Sequence, residues 1–279
     1  MSVRINTNID ALTAYRNLTT TQASMSQSVE RLSSGLRINK AADDAAGLAI
    51  SQGLTSQING LGQAQRNAQD GINVVQTADG ALNETQAILQ RMRTLAVQSS
   101  NDSNDANSRT DIQTEVTQLN AELDRISSTT SFNGVNLLDG TAGTAGVMQF
   151  QVGANGGGAN EIAVDLTTAK SDSTTLGVNA VDLSTQANAQ TAIGTIDTAI
   201  QTVSTARATL GAYQNRFQHT INNLSVTQEN LQASNSSIQD TDMAAEMSNY
   251  TRTQILSQAG TSMLKQANQA AQSVLSLLQ

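Results

Sequence analysis

An apolar residue returns at every seventh position from 196 to 238, as Ile196, Val203, Leu210, Phe217, Leu224, Leu231 and Ile238. A heptad held that far without proline predicts one long helix with a supercoiled apolar seam. The adjoining register is apolar at Ile193, Ile200 and Ile221 but polar at Arg207, Gln214, Gln228 and Asn235, so the seam is narrow. A helix of roughly 60–70 Å, at about 1.5 Å per residue, cannot close a core with so narrow a seam. Other long helices must lie beside it.

The flanking pattern supplies them. Ile5, Ile9, Leu12, Leu18, Met25, Val29, Leu32 and Leu36 stand mostly three or four apart and predict an amphipathic helix. Glycines at 35, 47, 53, 60 and 62, together with Asp43-Asp44, predict a partly irregular connector over 39–62. A second helix is expected over 63–99, where the rows Val75, Leu82, Leu89 and Val74, Ala81, Ile88, Leu95 imply two neighbours. Ile112, Val116, Leu119, Leu123 and Ile126 predict a third. Asn133-Gly134 signals a tight hairpin turn, and 147–152 and 161–166 alternate like strands. Residues 140–188, rich in Thr, Ala, Ser and Gly, read as a small exposed cap tolerant of change.

After Ile238 the register fails, and a new phase begins with Leu256, Met263, Ala270 and Leu277 beside Gly260, Ala267 and Val274. Such a break marks a boundary between packing environments. The fold class expected is mainly α: a long antiparallel helical bundle and a terminal coiled coil, with a small β-hairpin region in the middle of the chain. The domains expected are 1–42 with 237–279 (terminal coiled coil), 43–139 with 189–236 (bundle), and a short β/loop region, 140–188.

Composition narrows the function. The chain has no Pro, Cys or Trp, and its net charge is -8 with three lysines, Lys40, Lys170 and Lys265. An acidic chain lacks the basic face that nucleic acid requires. No stretch approaches the ~20 apolar residues of a membrane span, and residues 1–20 lack a Sec-type signal pattern. Catalytic signals fail individually. His219 is the one histidine and lies off the apolar seam, Asp43-Asp44 reads as turn or cap groups, and Gly153 to Gly158 lacks the Lys-Ser/Thr of a phosphate loop. No enzyme, cofactor or metal site is expected.

The chain ends with Val274-Leu275-Ser276-Leu277-Leu278, apolar and nearly uncharged. Alone, such a helix frays or aggregates. Pairing the two terminal helices covers one face of each, and the remaining surface asks for copies of the same chain. A head-to-tail contact that does not close propagates into a filament. The residues expected to pack the filament core are Ile5, Ile9, Leu12, Leu18, Val29 and Leu32 from the first helix. From the last come Leu256, Met263, Val274, Leu277 and Leu278.

Particular runs carry a family resemblance: Arg4-Ile5-Asn6-Thr7-Asn8, Arg31 to Asn39 (RLSSGLRIN), Asp43 to Ile50 (DDAAGLAI), Asp79 to Glu84 (DGALNE), Leu95 to Gln98, Phe132-Asn133-Gly134, and Gln254 to Leu278. In these the chain resembles bacterial flagellin over residues 1–140 and 190–279. The resemblance implies a filament subunit of short variant type, extracellular, exported through the flagellar type III apparatus. It implies as partners other flagellin subunits, an export chaperone at the C-terminal helix, and hook-associated and cap proteins. It also implies the toll-like flagellin receptor of hosts, whose contact positions match Arg91, Leu95 and Glu115, whereas Thr94 departs from the acidic residue common there. The expected native role of Arg91 and Leu95 is subunit packing. A hook–filament junction protein and a secreted helical binding module are the rival readings, and exposed Ser and Thr between 141 and 188 are candidate glycan positions.

Overall fold

The computed structural model describes the backbone of residues 7–276 and the side chains of residues 7–269. Five helices, α1 (Ile9–Ser34), α2 (Ala45–Ser99), α3 (Ala106–Thr129), α4 (Gln186–Gln239) and α5 (Met243–Ser276), make up most of the described residues. Four short strands, β1 (Ser131–Phe132), β2 (Val135–Asn136), β3 (Val147–Gln151) and β4 (Glu161–Asp165), pair as two antiparallel hairpins. The fold is mainly α, as the periodicity predicts. The chain divides into two compact units, residues 57–229 and residues 1–56 with 230–279.

In the unit of residues 57–229, the segment of α2 pairs antiparallel with the segment of α4. Polar side chains mark the register: Gln65 Nε2 donates to Ser225 Oγ (3.1 Å), Arg207 Nε to Asp79 (2.8 Å) and Arg93 Nε to Asp197 (2.6 Å). Ile196, Val203, Leu210, Phe217 and Leu224 are buried, as are Val74, Val75, Leu82, Leu89 and Leu95 facing them. A second buried row on α4, Ala192, Ala199 and Ala206, completes the seam with the same seven-residue period. A search for large apolar residues passes over it because alanine is small. α3 adds Ile112, Val116 and Leu123, and its N-cap Asp105 accepts from Ser108 N–H at 2.8 Å.

The β1–β2 turn places Asn133 at φ 49° and Gly134 at φ 79°. Two successive positive φ values are what a type I′ hairpin requires. β3 and β4 pair from Val147 opposite Asp165 to Gln151 opposite Glu161.

Two expectations are corrected. The glycine-rich stretch 39–62 is not an irregular connector: α2 begins at Ala45, and only residues 35–44 are non-helical. Two of the glycines there, Gly47 and Gly60, sit at close approaches, while Gly53 has nothing within 4 Å. A Cβ at residue 60 would stand 2.8 Å from Ala154 Cβ, and one at 47 would strike Asp44 and Ile38 at 2.6 Å. Residues 140–188 are not merely an exposed cap. Val164, Leu166, Val178 and Leu183 are fully enclosed in the core of residues 57–229, packed against the bundle helices. Threonine- and glycine-rich composition hides these few large residues among small ones.

Candidate assembly surface

In the unit formed by the two ends of the chain, α1 and α5 run antiparallel, with Cα atoms repeatedly within 8 Å. At one end Asn8 donates its side-chain amide to Ala267 O (3.0 Å). At the other, Arg37 N–H bonds Gln239 O (2.7 Å) and Thr241 N–H bonds Gly35 O (2.9 Å). Gly35 closes α1 at φ 74°, its N–H capping Arg31 O. The connector that follows is held by two carboxylates. Asp43 accepts from the N–H groups of Asn39 and Lys40, and Asp44 accepts from Gly47 N–H. Those donors, that of Asn39 foremost, hold the Asp43 carboxyl below its usual range. The hydrogen bond and charge of Glu30, 2.8 Å away, raise the Lys40 ammonium above its usual value.

The seam between the two helices mixes small and polar residues with a few large ones. On α1 the half-buried and buried positions that repeat along the seam are Ala11, Ala14, Leu18, Thr21, Met25, Ser28 and Leu32, with Glu30 and Arg31 half-buried beside them; on α5 they are Glu246, Tyr250, Thr253, Ser257, Gly260, Leu264 and Ala267. Both rows alternate in steps of three and four, the signature of a coiled-coil seam. Small residues let the backbones approach. A Cβ at residue 260 would stand 3.2 Å from Leu18 Cδ1, so Leu18 sits over a glycine notch. Register is further marked by Glu246, which is buried and lies 3.6 Å from Arg31.

Large apolar side chains stand outside that seam. Leu12 is 60% exposed, Ile255 60% and Met263 67%, and Ile9, Tyr15, Val29, Met243, Met247 and Leu256 are exposed as well. Of the residues expected in the filament core, Ile9, Leu12, Val29, Leu256 and Met263 therefore remain uncovered in the single chain, while Leu18 and Leu32 belong to the internal seam. Ile5, Leu277 and Leu278, and the side chain of Val274, lie outside the described residues. Tyr15, Met243, Met247 and Ile255 join the uncovered set although the sequence pattern does not single them out. Their signal is present as large apolar residues off the three-four rows, and it emerges once the small-residue heptads are assigned to the seam. Leu231, the sixth residue of the heptad series, is half-buried in this unit.

The candidate receptor positions separate by burial. Arg91 and Glu115 are partly exposed and paired, Arg91 Nη2 to Glu115 Oε1 at 2.7 Å. Leu95 is only 2% exposed and packs in the core. Its row on α2 faces the bundle, so the side chain is not presented at the surface of the free chain. His219 is exposed on α4. Among the described residues no cluster of three His, Cys, Asp or Glu is placed to hold a metal, and no helix is long and apolar enough to cross a membrane.

Comparison with known proteins bears on this surface. Residues 5–143 match the bacterial flagellin N-terminal helical region, and residues 193–278 match the bacterial flagellin C-terminal helical region. A flagellin from Halalkalibacterium halodurans is 50% identical over 274 residues, covering 98% of this chain and 99% of that protein. The flagellar filament 33 kDa core protein of Treponema phagedenis is 47% identical over 287 residues, with 98% and 99% covered. Among solved structures, the crystal structure of Bacillus cereus flagellin aligns with a TM-score of 0.50 at 35% identity, covering 57% of this chain and 88% of that one. A putative flagellar hook-associated protein from Vibrio parahaemolyticus shares the fold, with a TM-score of 0.57 at 15% identity over 71% of this chain and 100% of that one.

Proposed function

The chain belongs to the bacterial flagellin family, and from that membership we propose that its paired terminal helices form the contact surface through which it polymerises. It is a structural protein, a subunit of the extracellular flagellar filament. The observation that carries the proposal is the inverted distribution of side chains in α1 and α5. Small residues alternate with a few large ones in the internal seam, while Leu12, Ile255, Leu256 and Met263 remain exposed. Fully burying one such side chain contributes about 1.5–3 kcal/mol, and a second copy of the chain offers the same kind of surface. Ile5, Val274, Leu277 and Leu278 extend this contact in the proposal, on their place in the sequence pattern.

Seeded elongation tests it. Purified subunits added to short filament fragments and followed by electron microscopy should extend them. Leu12→Asp and Leu256→Asp should each abolish extension while leaving the helical content of the subunit unchanged, because both side chains are exposed before assembly. Normal extension by either variant would refute this surface. A wild-type chain that bound fragment ends without extending them would favour the junction-protein reading.

The remaining partners belong to the same proposal. The uncovered face of α5 is the surface an export chaperone would shield before assembly, and hook-associated and cap proteins would meet the same terminal helices at the filament ends. In the unit of residues 57–229, the partly exposed Arg91–Glu115 pair is the candidate contact for the host toll-like receptor, with Leu95 holding α2 in place below it.

A further inference from the structure

Oxidisable sulfur in this chain is confined to methionine, since there is no cysteine. Among the described methionines the burial is sharply divided. Met243, Met247 and Met263 are exposed on α5, Met25 and Met148 are half-buried, and Met92 is 0% exposed in the core. The three exposed thioethers lie on α5, which also carries the exposed Ile255 and Leu256. We propose that Met243, Met247 and Met263 are oxidation-sensitive positions, open in the free subunit and closed by assembly, so that peroxide disables subunits and spares filaments. This rests on the assembly surface proposed above.

The oxidant is a hydroperoxide. A sulfur lone pair attacks its terminal oxygen, the O–O bond breaks, an S–O bond forms, and with hydrogen peroxide the departing oxygen leaves as water. Sulfur is oxidised by two electrons and the peroxide is reduced by two. The sulfoxide is polar where the thioether was apolar. Burying its oxygen in an apolar contact without a donor opposes the burial that drives assembly. Susceptibility follows exposure, so the same side chains become resistant once a neighbouring copy covers them. Met92 supplies an internal standard in the same molecule.

Subunits and filaments are treated with dilute hydrogen peroxide, peptide-mapped by mass spectrometry, and assayed for seeded elongation. In free subunits Met243, Met247 and Met263 should oxidise at least ~tenfold faster than Met92, as exposure requires, and in filaments their rates should fall toward that of Met92. Oxidised subunits should lose elongation and regain it after treatment with methionine sulfoxide reductases A and B. The proposal is overturned if the three residues react no faster than Met92, or as fast in filaments as in subunits. Elongation that survives complete conversion, or a loss that reduction does not reverse, overturns it as well. Untreated Leu12→Asp, which retains every methionine, separates the two readings. Elongation by that variant refutes the assembly surface, whereas its failure beside normal elongation by oxidised wild-type subunits refutes only the oxidation site.

Discussion

Gly71 and Gly80 both lie inside α2, and helix propensity alone predicts the same gain, about 1 kcal/mol, for replacing either by alanine. Their surroundings differ. Gly80 is exposed with nothing within 4 Å of where a Cβ would be, whereas a Cβ at residue 71 would stand 2.5 Å from Phe217 Cζ and 2.8 and 2.9 Å from its two Cε atoms. The Phe217 ring is fully buried and packs edge-on against Phe150, centroids 5.5 Å apart at 87°, so it cannot swing clear without displacing a second ring. Overpacking of that kind costs typically about 1–3 kcal/mol. Set against the propensity gain, Gly71→Ala should be neutral to destabilising, by roughly 0–2 kcal/mol, a factor of up to about 30 in the unfolding equilibrium. Gly80→Ala should be stabilising by about 0.5–1 kcal/mol. The assay is urea unfolding of the full unassembled subunit by far-ultraviolet circular dichroism, at one concentration for all variants. Phe217→Leu in the Gly71→Ala background should show favourable coupling in a double-mutant cycle. A midpoint for Gly71→Ala at or above that of Gly80→Ala would refute the packing argument.

Leu95→Asp should unfold the bundle, because it strands a carboxylate in a site only 2% exposed at a cost of several kcal/mol; near-native circular dichroism would contradict that. Arg91→Ala removes an exposed ion pair worth at most about 1 kcal/mol, so it should leave the fold intact and weaken a receptor-reporter response; an unchanged response removes Arg91 from the receptor contact. Glu246→Ala should lower hydrogen-exchange protection along α1 and α5, since Arg31 loses its partner in the seam; unaltered protection would show that the pair does not hold the register. Asp105→Ala should lower thermal stability at neutral pH. Hydrogen bonds from the Ser108 hydroxyl and N–H hold the Asp105 carboxyl below its usual value, so its contribution is present above the unfolded value of about 3.9 and is lost as pH falls through the lower folded value. A difference from wild type that did not shrink as the pH was lowered through the acid range would refute the capping role.

The long helices are legible because large apolar residues recur at helical spacing: Ile196 through Leu224 and Val74, Val75, Leu82, Leu89 and Leu95 are buried as their periodicity requires, with Ala81 and Ile88 half-buried beside them. Asn133-Gly134 is legible for a different reason, since two adjacent residues tolerant of positive φ leave few other turns open. The start of α2 is not. Glycine breaks an isolated helix, yet Gly47 and Gly60 sit where another chain segment comes too close for any side chain, and sequence does not distinguish the two uses. Leu95 misleads for a related reason. A motif match places it one turn from Arg91 on α2, but the border of the buried stripe runs between them, leaving Arg91 exposed and Leu95 in the core.

The terminal helices show why the candidate surface is only half legible. Large apolar residues ordinarily mark the buried face of a helix, and by that rule Leu12, Leu256 and Met263 would face the partner helix within the subunit. They do not, because Ala11, Ala14, Ser28, Ser257, Gly260 and Ala267 occupy that seam and admit a close backbone approach that larger side chains would prevent. The pair covers one row of each helix, and Ile9, Leu12, Ile255, Leu256 and Met263 stay outside it. Most of the hydrophobic stabilisation these helices can supply, at about 25 cal/mol per Å², is therefore left for contacts made after the chain has folded. Folding within the subunit and association between subunits are thus assigned to different residues of the same helices, and substitutions should separate them. Gly260→Leu would force α1 and α5 apart and lower their hydrogen-exchange protection in the monomer, whereas Leu256→Asp should leave that protection intact and abolish seeded elongation. If Leu256→Asp instead lowered protection as much as Gly260→Leu, the outer row would be part of the internal seam and the division of roles would fail.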